Sequence, residues 1–284
     1  MDEFEEHRAH LRAVAYRMLG SLPEAEDAVQ EAWLRMDRAD VRDVRNMRGW
    51  LTTVVARICL DMLRARSARP EEPLDETDSG SRFATAEAVD PEQEALLADS
   101  IGAALLVILQ RLSPAERLAF VLHDMFDLPF AEIAPIVGRS KNAAAQLAAR
   151  ARRRVRGETQ HSATDLVHQR RLVDAFLAAA RDGDFDSLLA ALDSDVVLRV
   201  DAAAAGSAVT VSGAQAVAAN ARSFSANARF AEPALVDGSV GIVVAPRGRL
   251  ALVLRFGVVG DKITEIDIEA DPERLQDLSL AVLD

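Results

Sequence analysis

Residues 113–156 read SPAERLAFVLHDMFDLPFAEIAPIVGRSKNAAAQLAARARRRVR. Ser113-Pro114-Ala115-Glu116 is a helix start. Serine serves as the cap, proline sits in the first turn where its missing N–H costs nothing, and glutamate reaches back to the cap. Ala131 to Val137 predicts a short helix, which Gly138 ends, and Ser140 caps the next one. Helix, glycine turn and capped basic helix form the helix-turn-helix pattern, whose second helix enters the major groove N-terminus first. The entering residues would be Arg139, Ser140, Lys141, Asn142, Ala145 and Gln146. Asn and Gln side chains pair with adenine, and Arg or Lys with guanine. Arg150, Arg152, Arg153, Arg154 and Arg156 fall where phosphates would lie, and such contacts position without specifying. A solvated basic helix at a domain end is the plainer alternative, but it needs neither the capped start nor the helix upstream.

Ahead of the motif, Leu97, Ile101, Ala104, Leu105, Ile108 and Leu112 predict a long amphipathic helix. Residues 70–91 hold three prolines and many acids, and read as a linker. Upstream of them come three apolar stripes. Phe4, Leu11, Val14 and Met18 mark the first, and Ala25, Ala28, Val29, Ala32, Trp33 and Met36 the second. Leu51, Val54, Val55, Ile58 and Met62 mark the third. Ser21 with Glu24 predicts a capping box at the start of the second helix. Downstream, residues 158–165 read as a second linker and about 166–181 as a helix. Val196-Val197-Leu198, Gly241 to Val244, Leu250 to Val259 and Ile263 to Ile268 then read as strands. The last part of the chain is therefore α+β.

Charge is unevenly laid out. The 284 residues carry a formal net charge of −12, which taken alone argues against a phosphate-binding partner. Yet Arg35 to Arg69 holds nine arginines against four aspartates, and Arg139 to Arg156 holds seven basic residues and no acid. Pro70 to Ser100 holds ten acids and one arginine. Such segregation leaves room for basic faces. Cys59 is the single cysteine, which excludes an internal disulfide and a cysteine zinc cluster. His7, His10, His123, His161 and His168 are scattered, so no metal and no cofactor are expected. The acidic, polar N-terminus and the absence of a long apolar run predict a soluble, cytoplasmic protein with no membrane partner.

These motifs resemble the extracytoplasmic-function sigma factors. Their domain 2 is similar to residues 4–66, through Glu24-Ala25-Glu26-Asp27-Ala28-Val29-Gln30-Glu31-Ala32-Trp33-Leu34-Arg35 and Arg48-Gly49-Trp50-Leu51 to Asp61-Met62-Leu63-Arg64. Their domain 4 resembles Leu112 to Val155. The resemblance implies core RNA polymerase and promoter DNA as partners, and a monomer when free. Glu26, Asp27, Gln30, Glu31 and Trp33 would dock on the polymerase clamp helices. Asn46, Arg48, Trp50, Arg57 and Arg64 would hold the −10 element as single strand, and Arg139, Ser140, Lys141, Asn142, Gln146 and Arg150 would meet the −35 element. Trp33 and Trp50 have an equally good reading as core residues. Relatives commonly place a cation where this chain has Ala145.

Residues 166–284 resemble the SnoaL-like (NTF2-like) domain appended to one subgroup of these factors. The likeness is carried by Val173 to Asp184, Leu192 to Leu198, Val236-Asp237-Gly238 and Asp271-Pro272-Glu273-Arg274-Leu275. It implies a cone-shaped domain that modulates activity in cis, with Asp271, Pro272 and Leu275 as a regulatory motif. An unknown small-molecule ligand in its pocket remains open. The subgroup's Asp-Gly-Gly-Gly stretch is here Asp201-Ala202-Ala203-Ala204-Ala205-Gly206. Some relatives of the fold are enzymes, and Asp201 is the best-placed carboxylate, but no histidine follows His168 to partner it. No catalytic residues are expected. The expected layout is thus multi-domain. Domain 2 spans 1–69, a linker 70–91, helix-turn-helix domain 4 92–157, a linker 158–165 and the α+β domain 166–284. The two sigma domains are all-α.

Overall fold

The computed structural model describes residues 2–39, 41, 44–68, 102–157, 159 and 161–283. The acidic linker and the first half of the helix expected before Leu112 lie outside the described residues. The chain divides into two compact units. The first comprises residues 1–100 and 109–152, and the second residues 101–108 and 153–284.

In the first unit, α1 (Asp2–Leu19), α2 (Leu22–Arg38) and α3 (Met47–Ala68) pack against one another. The apolar stripes meet as their spacing predicts: Leu11, Val14 and Met18 with Ala25, Ala28, Val29 and Ala32, and with Leu51, Val55 and Ile58, all buried. Cys59 lies in this core, and burial pushes its thiol up to about 12, so it is an inert packing group. Alanine at Ala25, Ala28 and Ala32 leaves α2 a flat inner face. Gly20 ends α1 at φ +74°, and its N–H reaches the Tyr16 carbonyl at 2.8 Å. That positive φ is what favours glycine here; the Gln110 amide end also lies where a Cβ would sit, but a flexible side chain can move aside.

One expectation fails here. Ser21 has the extended backbone of a cap but makes no side-chain cap bond. Glu24 is drawn away to Arg66 of α3, 42 residues along the chain. A long-range ion pair has displaced the local capping bond that the spacing predicts.

Helix α4 (Ala103–Gln110) is followed by α5 (Pro114–Phe120), a π-helical turn (Val121–Met125), α6 (Phe130–Val137) and α7 (Lys141–Arg156). The capping box at Ser113 and Glu116 forms in full, with proline in the first turn. Both α5 and α6 pack on α3, and the π turn packs on α1. Arg117 is 5% exposed and donates from Nη1 to the Met18 carbonyl at 2.8 Å, satisfying one of the open carbonyls at the end of α1. Burial, with Arg66 nearby, pushes its guanidinium down to about 10.

The second unit holds a seven-stranded sheet in the order β2-β1-β6-β5-β4-β3-β7. The strands are β1 (Leu192–Val200), β2 (Val209–Ser212), β3 (Ala231–Val236), β4 (Ser239–Val244), β5 (Leu252–Val259), β6 (Lys262–Glu269) and β7 (Leu280–Ala281). Among the described residues only the β1–β6 pair is parallel. The helices are α8 (Ala163–Asp182), α9 (Phe185–Ala191), α10 (Ala202–Ala205), α11 (Ala214–Ala228) and α12 (Pro272–Asp277). Of these, α8, α9 and α11 cover one face, and Phe176, Leu177, Leu188, Val217, Ile242, Leu254 and Ile266 share its core. The helix expected to begin near 166 begins at Ala163, because Ser162 caps it by accepting from the Asp165 N–H. The second linker is correspondingly shorter.

The opposite sheet face is covered as well. Glu232 pairs with Val243, Val243 with Val253, and Val253 with Glu269, so these four form one row across the sheet. Val243 and Val253 are buried. At one end of the row, Glu232 Oε2 accepts from the Ala104 N–H at 2.9 Å, which caps the N-terminus of α4. At the other end of the unit's connections, the Val282 N–H donates to the Val155 carbonyl in the last turn of α7 at 2.9 Å.

Asp201 is a structural cap. Its Oδ1 accepts from the Ala204 N–H at 2.7 Å, and its Oδ2 accepts from Ala270 and Asp271 at 2.7 and 2.8 Å. Both oxygens are thus committed, which argues against the catalytic part considered for it. Beside it Glu269 is 6% exposed, with Oε2 on Arg274 and a buried Oε1 that finds no donor among the described residues. A proton on Glu269 would relieve that conflict by letting it donate toward Asp201. Burial first, then the bond to Asp201, raises the Glu269 pKa. Burial also works to raise Asp201, but the Glu269 bond and the three N–H donors outweigh it and hold its pKa low.

The sign of the pH effect follows. The Glu269 contribution is present below the ordinary glutamate range and lost as pH rises through its raised pKa. The Asp201 contribution is lost only as pH falls through its depressed pKa. Glu269→Gln, which keeps a donor at every pH, should match the wild type in the window between them. Above that window it should be the more stable by about 1 kcal/mol, and so melt at a higher temperature. Thermal melts from mildly acidic to mildly alkaline pH check this, and parallel profiles would refute the shared proton.

Candidate nucleic-acid interface

The two helices of the expected motif are α6 and α7. Gly138 closes α6 at φ +69° with its N–H on the Ala134 carbonyl, and the Ser140 Oγ accepts from the Ala143 N–H at 3.2 Å to start α7. Ala144, Leu147, Ala148, Ala151 and Val155 are buried, at helical spacing. The opposite face is exposed and carries Arg139, Ser140, Lys141, Asn142, Gln146 and Arg150. Small residues on the buried side let α7 lie close to its neighbours while its cations stay in water.

Arg150 has a second engagement. Its Nε donates at 3.1 Å to Glu116 Oε1, while Glu116 Oε2 holds the Ser113 hydroxyl and N–H. Arg152 likewise donates at 2.7 Å to Asp124 in the π turn. These arginines brace α7 against α5 and the π turn. The sequence flagged both only as cations, because their acid partners lie 34 and 28 residues away.

A second cationic stripe runs along α3. Trp50, Arg57 and Arg64 recur at seven-residue intervals and so share one face; the tryptophan is half-buried and both arginines are exposed. Asn46 caps this helix, its Oδ1 accepting from the Gly49 N–H at 3.0 Å. Arg48 follows, exposed, with its Nη2 on His10 at 3.1 Å. In the sequence His10 is one of five scattered histidines. Its proximity to Arg48 follows only from the packing of α1 on α3.

On α2, Asp27 and Gln30 are exposed and Trp33 is half-buried. Glu26 pairs with Arg8 and Arg12 of α1, at 3.4 and 3.3 Å, and Glu31 pairs with Arg35 one turn on at 2.8 Å. The acid face is thus partly neutralised from within. At the far end of the chain, Asp271 caps α12 through the Glu273 and Arg274 N–H groups, Pro272 occupies the first turn and Leu275 is buried.

A shallow cavity of about 140 Å³ opens beside the β3–β4 turn, lined by Val236, Asp237, Ser239, Val240, Gly241, Arg255 and Phe256. It is smaller than the several hundred Å³ typical of small-molecule sites. Among the described residues no His, Cys, Asp and Glu side chains gather as a metal site, and no helix is long and apolar enough to cross a membrane.

Residues 4–69 match the family described as Sigma-70 region 2, and residues 102–155 match Sigma-70, region 4. A Mycobacterium tuberculosis protein described as "Probable ECF RNA polymerase sigma factor SigI" is 38% identical over 275 residues, covering 96% of this chain and 93% of its own. The crystal structure of the Mycobacterium tuberculosis extracytoplasmic function sigma factor SigJ aligns at 32% identity and a TM-score of 0.45, covering 96% of this chain and 97% of that one. An NTF2-like protein of unknown function from Cytophaga hutchinsonii aligns at 14% identity and a TM-score of 0.29, over 42% of this chain and 98% of its own.

Proposed function

The chain belongs to the extracytoplasmic-function RNA polymerase sigma factors, and on that premise we propose how its parts divide the work. Sigma factors bind core RNA polymerase and promoter DNA. In this chain Glu26, Asp27, Gln30, Glu31 and Trp33 dock on the polymerase. Asn46, Arg48, Trp50, Arg57 and Arg64 take the melted −10 strand, whose phosphates need cations and whose unstacked bases need a flat partner. Arg139, Ser140, Lys141, Asn142 and Gln146 enter the −35 major groove, with Arg150 joining when it leaves Glu116. The observation that carries this reading is the pair of exposed cationic faces, on α3 and α7, in a chain that is acidic overall.

The SnoaL-like domain then acts in cis and has no catalytic role. Two bonds support this: Glu232 on the first turn of α4 and Val282 on the last turn of α7. Both touch the ends of region 4. The test is transcription in vitro with core polymerase, comparing the full chain with Glu232→Ala and with a chain ending at 157. Initiation at a cognate promoter is expected for the full chain. Both altered chains should shift the yield, the truncation by more. No initiation would sink the polymerase role, and identical yields would sink the regulation.

A further inference from the structure

The His10 imidazole lies in a ring of hydrogen bonds that begins and ends on Arg48. The Thr52 hydroxyl donates to the Arg48 carbonyl at 2.7 Å, the usual back-bond of a helical threonine. With its proton committed, Thr52 Oγ1 accepts from His10 Nε2, 3.0 Å away. That assignment puts the proton on Nε2 and leaves Nδ1 as an acceptor. Arg48 Nη2 donates to Nδ1 at 3.1 Å and closes the ring. The Phe126 ring stands edge-on to the imidazole, 5.2 Å between centroids, and the Arg17 guanidinium lies 5.1 Å from the centre of the same phenyl ring. Burial first, then the charge of Arg48, with His7 and Arg17 adding, pushes the imidazole down to about 4. The ring is therefore neutral near pH 7, as an Nδ1 acceptor must be.

We propose that His10 is a positioning residue for promoter melting: it fixes the guanidinium of Arg48 at the start of α3, ready for the unpaired strand. The proposal rests on the assignment of Arg48 to the −10 contact. An arginine has five N–H donors in a rigid fork, and His10 uses one, leaving the others for phosphate or a base edge. A guanidinium already held gives up less rotamer freedom when DNA arrives. The hydrogen-bond ring also ties the side chain of Arg48 to its own backbone turn, so the fork moves with α3 and not independently.

The test uses the full-length chain reconstituted with core polymerase. The probe is a duplex with a melted segment, selected by the wild-type holoenzyme from a library randomised in that segment. Arg48→Ala should weaken binding about 10-fold, and His10→Ala about 5-fold. His10→Gln should stay within about 2-fold, because its amide oxygen can accept from Arg48 while its NH2 donates to Thr52. The double variant should match Arg48→Ala alone, since His10 acts only through that guanidinium. Should His10→Ala fail to bind core polymerase, Thr52→Val, which keeps the volume and removes the hydroxyl, and His10→Gln carry the test. Three results overturn the proposal: additive losses in the double variant, equal losses in His10→Gln and His10→Ala, or an unaffected His10→Ala beside a weakened Arg48→Ala. An unaffected Arg48→Ala overturns the −10 assignment along with it.

Discussion

Asp27→Arg combined with Gln30→Arg is expected to abolish stable binding to core RNA polymerase. Both side chains are exposed on α2, three residues apart and so on one face. The clamp surface they are assigned to must be basic if the acids of α2 are to attract it. Placing two cations there replaces attraction by repulsion, at a cost of several kcal/mol, or roughly a hundredfold or more in affinity. Glu26 and Glu31 should matter less than Asp27, because Arg8, Arg12 and Arg35 already share their charge. Fold stability should hold within about 0.5 kcal/mol, since the substituted side chains touch no core. Fluorescence anisotropy against labelled core, beside a thermal melt, makes the measurement. Full affinity in the double variant would remove α2 from the polymerase interface.

The second large effect is on stability. Arg117→Ala should cost about 3 kcal/mol, from the cavity left by the buried stem and the orphaned Met18 carbonyl. Arg117→Met should cost less, about 1–2 kcal/mol, because it fills the space and removes a lone buried charge, leaving only the Met18 carbonyl unpaired. Among the described residues the guanidinium has no carboxylate partner: its Nη1 meets a carbonyl, its Nε is buried without a partner, and burial already depresses its pKa. Urea unfolding of the full chain and both variants decides. Equal losses in the two would mean that the charge itself holds the site.

Much of this was readable from residue order. The helix-turn-helix was, because Ser113, Pro114, Glu116, Gly138 and Ser140 act on their own neighbours. The strands β4, β5 and β6 were, because β-branched runs between turns have few other uses. The strands β2 and β3 were not: one has four residues, and the other carries Pro233, a residue that usually argues against a strand. Nor was α11, whose alanine-rich face shows no strong stripe. At the candidate sites, residue types were legible and pairings were not. Glu24 with Arg66, Arg150 with Glu116, and His10 with Arg48 join residues 34 to 42 positions apart. Nothing in local periodicity encodes such a choice. Asp201 drew notice as a carboxylate and turned out to close a turn, a use that depends on backbone N–H groups contributed from near 270.

The cis control proposed above, through the Glu232 and Val282 bonds, would have an energetic scale. A carboxylate on a helix N-terminus and one backbone bond are each worth about 1 kcal/mol net. If cis control works as proposed, two such bonds would favour a held over a released state by a factor of roughly thirty. That bias is small enough to reverse. Anything that binds the released state about a thousandfold more tightly, as a core enzyme with its own extensive surface can, would turn a mostly held population into a mostly released one. Glu232 and Val282 would then set a threshold for promoter use, and the domain would work as a rheostat whose setting a single carboxylate can change.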